Sequence, residues 1–291
     1  METKDKIIAK LESIQDLPSL PTVVNRLMEM VANKEQDIEA ISDIIYEDPS
    51  IAAKVLQLVN SAFFGARMGN ISSIRDAIVR LGFQEIRNLC LSLGVARVFK
   101  GRSRSINHKE FWKHSVTTAI TTRTIREHSV SKEFEGGEAC YTAGLLHDVG
   151  MLILDQHFHD LYSKLIGISA ETDTPLDVVE MEILGIDHGF IGAILLSRWN
   201  LPRIIVETVR HHHFPDNAPD SFQKVTRMVH LADTVARRVL ETPESETEAD
   251  EFSLLSQATL AELEVPAESV GLLLGKVRKQ TARSEIFALL I

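Results

Sequence analysis

Cysteine is nearly absent from this 291-residue chain: there are two, Cys90 and Cys140, both in apolar surroundings and far apart in sequence. No Cys-based zinc site can be built from them, and they read as buried free thiols of a reducing compartment. Aromatic residues are only 6% and long alternating β-branched segments are missing, which argues against sheets. Apolar residues instead recur at three-four spacing, so the expected fold class is all-α. No apolar run approaches the roughly eighteen residues of a membrane span. The opening Met1-Glu2-Thr3-Lys4-Asp5-Lys6 mixes charges and lacks a signal-peptide core. A cytoplasmic protein without membrane attachment is expected. Basic residues are also in short supply, 31 against 41 acidic, for a formal charge of -10. That balance excludes general affinity for the nucleic-acid backbone, which depends on Lys and Arg displacing counterions. Arg97, Lys100, Arg102 and Arg104 go against the trend around Gly101; the segment reads as a solvated linker or a phosphate-holding patch.

What the chain does have is 44% hydrophobic residues, enough for a proper core. Val23, Val24, Leu27, Met28, Met30 and Val31 trace one helical face. Asp37 reads as an N-cap, and Asp48-Pro49 repeats the device with proline at the first helical position. Ala62-Phe63-Phe64-Gly65 follows the end of that helix. Ser72 or Ser73 caps a short helix over 74–81, and Gly82 stops it before another through Ile86, Leu89, Leu91, Leu93 and Val95. These helices form an N-terminal layer, 1–104. After the basic segment a second helical body, 105–291, starts with Phe111-Trp112 and a Thr-rich helix over 115–127. Six acids and a proline in the eleven residues 241–251 predict a loop. Two packing helices follow, over 254–263 and 270–290, the latter weakened near Gly275.

Chemistry concentrates in the second body. The apolar run 140–154 carries an adjacent His147 and Asp148, and an ionised Asp there costs several kcal/mol unless cations or donors surround it. The run reads as helix, in which neighbours lie roughly 100° apart and both side chains reach one ion. A neutral His–Asp hydrogen bond is the alternative. Further along, Glu110 and His114 share a helical face, His188 opens a helix, His211-His212-His213 closes another, and Asp233 interrupts an apolar helix. His108, His128, His157, His159 and His230 fit no such pattern and read as surface or helix-end residues. Imidazole and carboxylate without thiolate suit Fe, Mn, Zn or Ni.

The order His, His-Asp, His, His pair, Asp resembles the metal-binding order of the HD superfamily of phosphohydrolases, with its HD-GYP phosphodiesterase branch. The N-terminal half is similar to the related HDOD family through Leu17-Pro18-Ser19-Leu20-Pro21, Asp48-Pro49-Ser50-Ile51, Leu58-Val59-Asn60-Ser61 and Ala77-Ile78-Val79-Arg80-Leu81-Gly82. The resemblance covers most of the chain. It implies an N-terminal helical bundle packed on an HD-like helical domain. His114, His147, Asp148 and Asp233 would hold one ion, and Asp148 would bridge to a second held by His188, His211 and His212. Glu110 matches an acidic ligand of some HD-GYP members, and the run of three histidines leaves the register of the pair open by one, to His212 and His213. Two features depart from HD-GYP: Met151 stands where those enzymes have Lys, and 211–217 lacks Gly-Tyr-Pro. HDOD proteins are regarded as regulatory. The implied function is therefore signal transduction with a retained divalent-metal centre of one or two ions, and little or no turnover. A protein partner in signalling and a phosphate-containing ligand go with it. The alternative is a metal-dependent phosphohydrolase or phosphodiesterase acting on a nucleotide or small phosphoester.

Overall fold

The computed structural model describes residues 3–14, 17–32, 37–61, 71–101, 104–130, 139–241 and 257–290. Among them no strand occurs, and the fold is all-α. No helix among them is long and apolar enough to cross a membrane. The sequence features at 62–65, Arg102 and 242–256 lie outside the described residues.

The chain divides into two compact units, Met1–Leu17 with Arg102–Thr281, and Pro18–Gly101 with Ala282–Ile291. The expected single boundary at 104/105 thus becomes a division in which the first seventeen residues go with the later part of the chain. Side-chain contacts explain that grouping. Helix Thr3–Ser13 buries Ile7 and Leu11, Lys10 donates to the His157 carbonyl at 2.8 Å, and Arg198 Nη2 donates to the Leu11 carbonyl at 3.0 Å.

The smaller unit is a layer of short helices with local start signals. Asp37, Asp48 and Ser73 each accept backbone N–H groups at the first turns of Ile38–Tyr46, Pro49–Val59 and Ile74–Leu81. Gly82, at φ 88°, turns the chain into Phe83–Phe99 in a conformation that residues with a Cβ rarely adopt. The buried set is mainly apolar and includes Val24, Leu27, Ile41, Ile45, Val55, Leu58 and Ile74, with Ser42, Arg87, Asn88 and Ser92 as buried polar members.

The larger unit is built around helix His108–His128, on which Ala139–Leu146 and Asp220–Glu241 pack. This helix starts seven residues earlier than the sequence suggests, because the Asn107 side chain accepts the N–H groups of Lys109 and Glu110. Its threonines are buried without penalty where hydroxyls of Thr117, Thr121, Thr122 and Thr124 donate to carbonyls one turn back at 2.8 Å. Cys140 joins Val225, Met228, Leu231, Leu260, Leu263, Val270 and Leu274 in a core under the C-terminal helices. Burial pushes its thiol up to about 12, and Cys90 is likewise buried, free and raised by burial. Helix Val270–Leu290 runs unbroken through Gly275, contrary to the expected weakening there; a lone glycine costs only about 1 kcal/mol, which packing overcomes.

Candidate metal centre

His147 and Asp148 do not lie within one helix, as the apolar run suggests, but in the turn between Ala139–Leu146 and Val149–His157. Asp148 has φ −96° and ψ 5°, and its carboxylate makes no capping bond to the helix it precedes. The break frees that carboxylate for other partners. Two glycines let the flanking helices approach the rest of the site. A Cβ on Gly144 would stand 2.9 Å from the Ala119 Cα, and one on Gly150 would stand 1.9 Å from the His188 carbonyl oxygen. The first contact draws His147 towards His114, and the second draws Asp148 towards His188.

Asp148 divides its two oxygens between two groups of donors. On the Oδ2 side, His147 Nε2 is at 3.1 Å and His114 Nε2 at 3.7 Å. Asp233 Oδ1 closes this group, 2.9 Å from His114 and 3.7 Å from His147. On the Oδ1 side, His188 Nε2 is at 3.1 Å and His212 Nε2 at 3.5 Å, and His213 Nε2 lies 2.8 Å from His188 Nε2. A metal–ligand distance of about 2.1 Å places neighbouring ligands about 3.0 Å apart in an octahedron and about 3.4 Å in a tetrahedron, the same range.

The histidines are held in the tautomer that leaves Nε2 available. Nδ1 of His147 donates to the Gly144 carbonyl at 2.9 Å, Nδ1 of His212 to the Val209 carbonyl at 2.7 Å, and Nδ1 of His188 to Glu180 Oε2 at 2.7 Å. His212 is 1% exposed, yet its Nε2 has no hydrogen-bond partner. Nε2 of His114 faces Nε2 of His147 at 3.3 Å, an approach of two ring nitrogens that needs a proton or an ion between them. These donors fit a divalent ion of the N/O-ligated kind.

Electrostatics point the same way. Burial opposes ionisation of Asp148, but the His147 charge and hydrogen bonds from His147 and His188 hold it well below the usual carboxylate range. Asp233 is held low against its burial by His114 and His147. Burial likewise works against charging His147, and the two carboxylates raise it to about 10; Glu180 and Asp148 raise His188 in the same way. His213 moves in the other direction, driven far down by burial and by His212 and His188, so it stays neutral. The centre demands positive charge and takes protons onto two histidines where no ion supplies it.

The HDOD domain family matches residues 17–215, more than half of the chain. The chain belongs to the HDOD family. A relative from Treponema pallidum of uncharacterised function is 28% identical over 226 residues, or 78% of this chain; the match spans 43% of that longer protein. A candidate phosphohydrolase from Shewanella amazonensis superposes with a TM-score of 0.78 at 24% identity, covering 96% of this chain and 97% of that one. A candidate signal transduction protein from Marinobacter aquaeolei gives 0.81 at 22% identity, covering 99% of this chain and 65% of that one. At such identities the likeness is one of fold.

Within this HDOD chain, the donor groups gather His114, His147, Asp148, His188, His212 and Asp233 of the residues singled out in the sequence. They do not include His211. Helix Arg203–His211 turns its last residue towards Glu207, 3.6 Å away, and the chain bends after it, so the inward pair is His212 and His213. Of the two registers open in the sequence, the geometry brings His212 and His213 together with Asp148 and His188. Glu110 lines the adjoining cavity and is not among the converging donors. Of the remaining histidines, His108, His128, His157 and His159 stand at helix ends, while His230 is exposed and its Nδ1 donates to the His212 carbonyl at 2.8 Å. Two residues were not found from sequence. Glu180, fully buried, also accepts the His188 backbone N–H at 2.7 Å; its only signal was an acid in the apolar stretch 178–184. Arg237 Nη2 donates to both Asp233 oxygens at 3.0 and 3.1 Å, one turn beyond that ligand.

Proposed function

We propose that this HDOD protein is a regulatory component of signal transduction whose larger unit retains a two-ion centre of Fe, Mn, Zn or Ni, with little or no turnover. One observation carries the reading: the two oxygens of Asp148 face separate histidine groups whose Nδ1 atoms are largely committed elsewhere. His114, His147, Asp148 and Asp233 hold the first ion; Asp148, His188, His212 and His213 hold the second. Such a pair supplies Lewis acidity towards a phosphoryl oxygen. Four positive charges against the carboxylates of Asp148 and Asp233 leave the centre positive, which suits a phosphate-containing ligand. Met151 lines the cavity and offers neither charge nor proton to that ligand, which supports regulation over hydrolysis. The output passes to a protein partner. The test is metal analysis of protein purified without chelator, alongside His147→Ala. Bound transition metal in the parent and its loss in the variant are expected; a metal-free parent overturns the reading.

A second reading, metal-dependent hydrolysis of a nucleotide or small phosphoester, is favoured by the cavity of about 470 Å³ that adjoins both donor groups. Assays with added Mn²⁺ or Fe²⁺ across cyclic and linear nucleotides decide between the two. A flat panel supports regulation, and metal-dependent turnover supports the enzyme.

A further inference from the structure

The cavity beside the donor groups is lined by side chains of both charge signs. Its floor is formed by Asp148, His114, His188 and His213, and one cationic side chain among the described residues, Arg237, stands at its edge. Arg237 reaches Asp233 through Nη2, and its side chain is 57% exposed, which leaves further guanidinium N–H groups for a ligand. Glu110, Asp177 and Glu241 line the same space from three different helices, His108–His128, Leu176–Leu184 and Asp220–Glu241, with Asp177 Oδ2 3.9 Å from His213 Nδ1 and Glu241 one turn beyond Arg237. Leu176, Phe111 and Leu240 add apolar surface to the lining. A ligand whose charge is all negative would meet favourable charge at the floor and three carboxylates close beside it.

We propose that the cavity selects a small zwitterionic phosphoester, with its phosphate at the floor and Arg237 and an ammonium group against Glu110, Asp177 and Glu241. This rests on the ion centre proposed above and adds the class of ligand. The volume, about 470 Å³, suits one small molecule, since ligand cavities run from about 300 to 1,000 Å³. Arg237 also supplies the cation that Met151 cannot. The three carboxylates reject polyphosphates, because like charges held together in a partly enclosed space repel strongly.

The test uses the full chain loaded with Mn²⁺ and calorimetric titration with three probes: phosphoethanolamine, ethyl phosphate and pyrophosphate. Phosphoethanolamine is expected to bind about 10-fold more tightly than ethyl phosphate, the scale of one charge-assisted hydrogen bond, and pyrophosphate more weakly than either. The ratio of the first two affinities should fall towards one in the Glu110→Gln, Asp177→Asn double variant. Arg237→Ala should weaken both monoesters together, with Mn²⁺ content and melting temperature measured alongside to detect loss of ion or fold. Equal binding of the two monoesters by the parent protein overturns the inference and leaves the ion centre standing. Absence of any Mn²⁺-dependent phosphate binding overturns both.

Discussion

The two donor groups around Asp148 are built differently. The first takes His114, His147 and Asp233 from helix interiors or from the turn after a helix, positions that stand out as polar residues in apolar surroundings. The second takes His188, His212 and His213 from a helix start and from the bend after another helix, and it depends on Glu180 to orient its first member. The first group contains two carboxylates and the second shares one. A charged residue in a buried helix declares itself, whereas a histidine in a run of three is placed only by where the helix ends.

The largest effect should come from the residue common to both groups. Asp148→Ala is expected to abolish retention of metal, a greater loss than the roughly 10–100-fold that removal of an outer hydrogen-bond partner costs; elemental analysis of the purified variant checks it. Glu180→Gln separates the groups. It should weaken the second ion by about 10–100-fold and leave the first in place, seen as two binding phases in a metal titration of which only one moves.

Acidity sharpens the contrast next. Without metal, the raised His147 contributes stability that is full below its unfolded value near 6.5 and is lost as pH rises through about 10. Asp148 and Asp233, held low, contribute stability that is present above about 4 and lost as pH falls further. Metal must displace the protons on His147 and His188, so binding of two ions near pH 7.5 should release about two protons per chain and tighten with rising pH. Calorimetry in buffers of different ionisation enthalpy measures it. Constant proton release of zero would mean that neither His147 nor His188 is a ligand. The smallest effect belongs to His211→Ala, which should change metal content less than about 2-fold and stability by no more than about 0.5 kcal/mol, while His213→Ala lowers occupancy of the second group. Reversal of these two outcomes would restore the other register.

Much of the first group was legible because its signals are local or energetic. Asp148 and Asp233 sit where ionised groups are costly, and His114 follows Glu110 at helical spacing. Glu180 was missed because an acid in the middle of a helix that also carries Asp177 and Glu182 looks like any solvated one until Ile186 to His188 fold back over it. Arg237 was missed for a similar reason: its contact with Asp233 is an ordinary i,i+4 pair, and only the cavity beside it gives the guanidinium a further use.

Sequence alone determined the all-helical class, the caps at Asp37, Asp48 and Ser73, and the N/O character of the donors, since each depends on residues within a turn or two of one another. Tertiary structure decided which oxygen of Asp148 faces which histidines, which of three consecutive imidazoles turn inward, and which carboxylate steadies His188. Those outcomes depend on helices distant in sequence closing on one another across Gly144 and Gly150, and no local pattern encodes the distance at which they stop.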